Sequence, residues 1–137
     1  MASFRDPVAR AKDFMDTHFD QPLDLDVVAQ QAHFSPYHFL RRFRQTYAET
    51  PHAYLTRMRM ARARELLVET ELSVTEVCLD VGYTSLGSFS SSFRRHVGHS
   101  PYNYRARVFQ SVAIVQAAAR YIPYCYIFMR GLGQKQA

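Results

Sequence analysis

The chain of 137 residues is 47% hydrophobic and carries a net charge of +5, which suits one domain, or a compact pair of subdomains sharing a core, and excludes global disorder. No uninterrupted apolar stretch approaches about 18 residues, so a membrane-spanning helix is not expected; the N-terminal MASFRDPVARAKDF lacks an apolar signal-peptide core, which places the protein in the cytoplasm as an expectation. The charge is uneven: residues 1–34 balance to −3, residues 35–110 to +5 and the remainder to +3, and arginine outnumbers lysine 15 to 2. Arginine forks fit phosphates and guanine edges, but a GC-rich genome gives the same bias, so position weighs more than count.

Residues 7–19 read as an amphipathic helix, with Pro7 in its first turn and Val8, Ala11, Phe14 or Met15, and His18 or Phe19 as its stripe. Asp20-Gln21-Pro22 breaks it. A second helix covers 24–32 with Asp24 as cap, and His33-Phe34 makes a turn. Ser35 caps a third helix, with Pro36 at its first position, running to about Tyr47. Thr50-Pro51 starts a longer helix, about 51–67, whose Leu55, Met58 or Arg59, Ala63, and Leu66 or Leu67 have helical spacing. Ser73 and Glu76 have capping-box spacing and open the fifth helix. Gly82-Tyr83-Thr84 makes a second turn, and the sixth helix runs from about Ser85 to Val97, closed by Gly98. Ser100-Pro101 starts a last short helix through about Arg107. No strand-like alternation of useful length precedes residue 108, so the expected fold class is all-α.

One segment occurs twice. SPYHFLRRFRQTYAETPHAYL from Ser35 aligns with SLGSFSSSFRRHVGHSPYNYR from Ser85, pairing Phe39 with Phe89, Phe43 with Phe93, Arg44 with Arg94, Pro51 with Pro101 and Tyr54 with Tyr104. Upstream, at an offset of 49, Leu25, Val28, Ala29 and Ala32 pair with Val74, Val77, Cys78 and Val81. Each unit is a short helix, a tight turn and a second helix, the layout of a helix-turn-helix whose second helix can enter a DNA major groove. The units span about 24–47 and 73–97, and the 51–67 helix links them. Cys78 falls where the first unit has Ala29, so it is expected to be a small core filler.

GYTSLGSFSSSFRRHVGHSPYNYR, residues 82–105, resembles the signature of the AraC/XylS family of bacterial transcription regulators: Gly-aromatic, Phe-x3-Phe followed by Arg-Arg, then Gly-x-Ser-Pro-x2-Tyr-Arg. LDLDVVAQQAHFSPYHFLRRF, Tyr54-Leu55 and Arg59-Met60-x2-Ala63-x2-Leu66-Leu67 fit the same family, so the resemblance covers about residues 7–107. It implies a seven-helix DNA-binding domain, residues 1–107, whose two recognition helices enter successive major-groove segments on one face of the duplex. It also implies activation near a promoter through contact with RNA polymerase. Many members carry a separate sensor before this domain; here the match starts almost at Met1, so a short, stand-alone member is expected, controlled through its abundance or its tail.

On the first recognition helix Phe39 and Phe43 must face the core. Tyr37, Arg41 and Arg44 lie opposite, with Pro36, His38 and Leu40 flanking near the helix start, where docked recognition helices read bases. Tyr37 and Arg41 match family positions that face the groove, which implies a guanine or phosphate contact for Arg41 and stacking or a phosphate hydrogen bond for Tyr37. Arg44 is assigned to phosphate. The second recognition helix departs from the family: Gly87 and Ser91 stand where the first has Tyr37 and Arg41, surrounded by Ser88 and Ser90, while Arg94 and Arg95 sit toward the end that favours phosphate. The first unit is therefore expected to supply most sequence specificity, and the second mostly backbone affinity and shape fit.

No Gly-rich phosphate loop, nucleophile elbow or paired carboxylates appear, so no catalysis and no cofactor are expected. His96 and His99 have HxxH spacing, but Gly98 interrupts the helix and no third ligand is near, so no metal is assigned. Residues 108–137 form an extension beyond the domain: a helix is expected from Val108 to Ala119, a stop at Pro123, and an uncharged aromatic run over 124–129 that packs back on the second unit or pairs as a short strand. Two alternatives to a sequence-specific activator stay open: an effector-gated regulator whose small-molecule site involves the tail, and a low-specificity, nucleoid-like DNA binder. Two units in one chain make monomer binding feasible, and the tail offers a dimer contact.

Overall fold

The computed structural model describes residues 6–133, with side chains described as far as residue 118. The elements are α1 (Pro7–His18), α2 (Leu25–Gln31), α3 (Pro36–Tyr47), α4 (Pro51–Glu69), α5 (Val74–Asp80), α6 (Leu86–Val97) and α7 (Pro101–Gly133). There is no strand among the described residues, and the all-α class holds.

Side-chain caps set the helix starts. Asp6, Asp24, Ser35, Thr50, Ser73 and Ser85 each accept a hydrogen bond from a backbone N–H in the first turn, which satisfies a donor that the helix itself leaves without a partner. Ser73 and Glu76 complete a reciprocal capping box, with Ser73 N donating to Glu76 Oε2 at 2.7 Å and Glu76 N to Ser73 Oγ at 3.1 Å. The Ser73 backbone N–H, and after it the Ser73 hydroxyl, hold the Glu76 carboxyl below its ordinary pKa. Pro7, Pro36, Pro51 and Pro101 stand at or next to first helical positions, where the missing N–H costs nothing.

Residues 1–101 form one compact unit and 102–137 a second. In the first unit, α1 packs on α2 and α3; α4 runs against α3 and then against α5 and α6, so it joins two helix-turn-helix lobes. The apolar stripes converge. Val8, Ala11 and Met15 of α1, Val28 and Ala29 of α2, and Phe39 and Phe43 of α3 are fully or almost fully buried, as are Val77, Cys78, Phe89 and Phe93 in the second lobe. Burial pushes the Cys78 thiol up, consistent with a core filler rather than a reactive thiolate. Among the alternatives in the α1 stripe, Met15 is the core residue, whereas Phe14 stacks on His18 with centroids 4.2 Å apart.

Arg59 lies within the α4 stripe yet is polar, and its bonds explain the placement. Its Nε donates to the Phe19 carbonyl at 2.7 Å and its Nη2 to the Gln21 carbonyl at 2.9 Å, while the guanidinium lies 5.5 Å from the centroid of the Tyr83 ring. The linker helix thereby ties the end of α1 to the turn of the second lobe. Gly82 in that turn has φ +91°, and a Cβ there would meet the Phe19 carbonyl oxygen at 2.9 Å, so glycine is required on both counts.

The last helix corrects the sequence reading. It does not end near Arg107, it is not stopped by Pro123, and residues 124–129 are helical rather than a strand. Between Tyr104 and Ile122 no glycine, proline or capping pattern interrupts the chain, and Ala113, Ala117, Ala118 and Ala119 are strong helix formers. Within this unit Phe109, Val112, Ile114 and Val115 are exposed. How the side chains of the 124–129 run pack lies outside the described residues. Among the described residues no helix is long and apolar enough to cross a membrane.

Candidate nucleic-acid interface

The candidate interface consists of the outward faces of α3 and α6. Each helix has 12 residues and follows a 7-residue partner, and in each the two buried phenylalanines turn the opposite face to solvent. The backbone turns are equivalent. The Phe34 N–H donates to the Ala29 carbonyl at 3.1 Å, and the Tyr83 N–H to the Cys78 carbonyl at 3.0 Å. Both helices end in a left-handed cap, Ala48 at φ 61° and Gly98 at φ 91°.

On α3, Pro36, Tyr37, His38, Arg41 and Arg44 are all exposed. Tyr37 is 69% exposed, and the Arg41 guanidinium lies 5.8 Å from its ring centroid. The contact presents a flat ring and a forked donor together, one turn apart on one face. His38 is held against Phe34 edge-on, with centroids 4.5 Å apart. Leu40 behaves differently from its sequence neighbours: it is half-buried and lines an apolar hollow with Met15, Val28 and Leu55. Its position on the wheel put it beside the reading residues, but its side chain faces the hollow.

On α6, Gly87, Ser88, Ser91, Arg94 and Arg95 are exposed, while Ser90, at the position equivalent to Leu40, is half-buried. Gly87 has an ordinary helical φ, and a Cβ there would meet only Ser85 Oγ, at 3.8 Å. The space for a side chain is open, so the blank face of α6 is not imposed by packing. His96 adds a third basic residue to the last turn, and its Nδ1 lies 2.9 Å from the Ser92 carbonyl.

Among the described residues the ion pairs engage Lys12, Arg57 and Arg62, and none of the arginines of α3 or α6 is in one. Forked cations left without carboxylate partners on two matching helices are suited to phosphate and base edges. The exposed Asp20, Asp24 and Asp26 belong to the α1–α2 side, where phosphate is repelled.

The signal that sequence reasoning missed is a polar cluster behind α3. The Tyr54 hydroxyl donates to Asp16 Oδ1, and the Lys12 ammonium pairs with Asp16 Oδ2 at 3.1 Å while lying over the Tyr47 and Tyr54 rings. Its interaction with the Tyr54 hydroxyl oxygen, and then with Asp16, lifts the Lys12 pKa well above its ordinary value, and burial lifts those of Tyr47 and Tyr54. The Arg57 guanidinium also lies 5.2 Å from the Tyr54 ring centroid and pairs with Glu49 at 2.6 Å. The cluster braces α1 and α4 around the end of the recognition helix. The i,i+4 spacing of Lys12 and Asp16 was the only local hint of it. No group of three His, Cys, Asp or Glu among the described residues is placed to hold a metal ion.

A family model described as a helix-turn-helix domain matches residues 28–107. The regulatory protein SoxS of Salmonella typhimurium is 35% identical over 96 residues, which is 70% of this chain and 90% of SoxS. The chain belongs to the AraC/XylS family. Within it, the transcriptional activator RhaS of Escherichia coli O139:H28 is 35% identical over 92 residues, 67% of this chain but 33% of RhaS. The DNA-binding domain of AdpA, solved in complex with a target DNA, superposes with a TM-score of 0.72 at 33% identity, covering 74% of this chain and 92% of that domain. An AraC-type transcriptional regulator from Chromobacterium violaceum gives 0.68 at 30% identity, covering 78% and 96%.

Proposed function

We propose that this AraC/XylS-family regulator binds promoter DNA sequence-specifically, inserting α3 and α6 into successive major-groove segments, and activates transcription through contact with RNA polymerase. The observation that carries the reading is the duplicated lobe: two helix-turn-helix units with matching cores, each turning arginines without carboxylate partners outward from its second helix. AdpA, whose DNA-binding domain is held on DNA, and RhaS, an activator, make the same mode of action the natural one for this chain.

The two helices divide the work. Arg41, with Tyr37 against it, reads a base edge or clamps its phosphate, and Arg44 holds backbone. Ser91 offers about one hydrogen bond and Gly87 none, so α6 contributes through Arg94 and Arg95 to backbone affinity and tolerates sequence change. Binding as a monomer to an asymmetric site follows from having two units in one chain. The reaction is binding without catalysis.

Phosphate-interference footprinting on a bound duplex tests this. Two protected patches on one face, about 34 Å apart, with base protection confined to one of them, are the expected result. Uniform protection without patches, with nearly equal affinity for unrelated sequences, favours a nucleoid-like binder instead.

A further inference from the structure

The hollow behind Leu40 is not used by the DNA-binding face. Met15, Val28, Leu40, Pro51 and Leu55 line it with apolar groups, and Asp24 and His52 supply its polar groups. Its volume is about 230 Å³, and it is partly open to solvent. An apolar cavity of about 150 Å³ accepts a benzene ring, so this one holds a single ring with a short arm. It is too small for a drug-sized ligand.

The polar lining has a definite charge. Asp24 caps α2 by accepting from the Val27 N–H through Oδ1 at 2.9 Å, so its second oxygen faces away from that bond. Asp24 is exposed and in no ion pair among the described residues, and neither lysine nor arginine lines the hollow. The repeat shows that the fold does not need this lining: the positions equivalent to Leu40, His52 and Leu55 are Ser90, Tyr102 and Arg105. An apolar concavity with a lone carboxylate at its mouth fits an occupant with an apolar body and a cationic end.

We infer that this hollow is a binding site for a small single-ring ammonium compound, with the ring among Val28, Leu40 and Leu55 and the ammonium at Asp24. The site itself is tested without DNA, so that its failure and failure of the DNA-binding reading are distinguishable.

The experiment is a titration of the full chain with phenethylammonium, followed through backbone amide NMR signals. Saturable shifts at Leu23, Leu25, Val28, Leu40 and Leu55, with a Kd of about 1 mM or tighter, are expected. The uncharged 2-phenylethanol is expected to bind several-fold more weakly. Asp24→Asn, which keeps a competent helix cap, is expected to remove that difference. Equal shifts with propylammonium, which has no ring, overturn the proposal, as does the absence of saturable shifts around the hollow up to ~20 mM. A charge preference that survives Asp24→Asn overturns it too.

Discussion

The two lobes share their interiors and differ on their surfaces, and the difference separates what the fold requires from what recognition requires. Val28, Ala29, Ala32, Phe39 and Phe43 are buried in the first lobe, and Val77, Cys78, Val81, Phe89 and Phe93 at the equivalent positions of the second. Outward, Tyr37 and Arg41 face Gly87 and Ser91 across the same comparison. The turns differ in the opposite sense. The first lobe places His33 and Ala48 at left-handed positions where the second has Gly82 and Gly98. The first lobe thus carries the chemically richer outward face on strained turns, and the second a sparser one on relaxed turns.

The shared core sets the largest expected effect. Phe39→Ala and Phe89→Ala should each destabilise the protein by about 3–5 kcal/mol, because both rings are fully buried. Chemical denaturation of both variants checks the symmetry; a much smaller loss for one would show that its lobe is packed more loosely. Next come the turns. Gly82→His imports the first lobe's residue into a position where a Cβ meets backbone at 2.9 Å, and should cost about 2–3 kcal/mol. His33→Gly should be neutral to within about 0.5 kcal/mol, since relief of strain offsets the added freedom of the unfolded chain. The same denaturation experiment reads both.

The reading faces come third. Arg41→Ala should weaken the best DNA site by about 1–3 kcal/mol, roughly 10–100-fold, and flatten preference at one base position. Ser91→Ala should change affinity by no more than about a few-fold. Fluorescence anisotropy on cognate and single-mismatch duplexes distinguishes base reading from plain phosphate contact, because loss of a phosphate contact lowers every affinity equally. The smallest effect is expected at the helix ends: Ala48→Gly, which matches Gly98, should raise stability by about 0.5 kcal/mol, measured as a small upward shift in the denaturation midpoint.

Most of this comparison was legible in the residues. The caps, the proline starts, the paired phenylalanines and the offsets of the repeat all act within a few positions, where periodicity and capping chemistry speak directly. Arg59 was not legible: its partners are the carbonyls of Phe19 and Gln21, 40 and 38 residues away, and a helical wheel records only its closeness to the stripe. Tyr54 and Asp16 were hidden for the same reason. The half-burial of Leu40 was not legible either, because the wheel gives an angle and not the hollow that the neighbouring helices leave. The tail misled through Pro123, a helix breaker by local rules, which α7 nonetheless runs past to Gly133.

The most direct test of the asymmetry is selection of bound duplexes from a random library at near-physiological salt, done in parallel with the native protein and with Arg41→Ala. The account predicts one strongly specified patch and a weaker one about a helical turn away, with only the strong patch losing information when Arg41 is removed. Two equally specified patches, or a strong patch unaffected by Arg41→Ala, would contradict it.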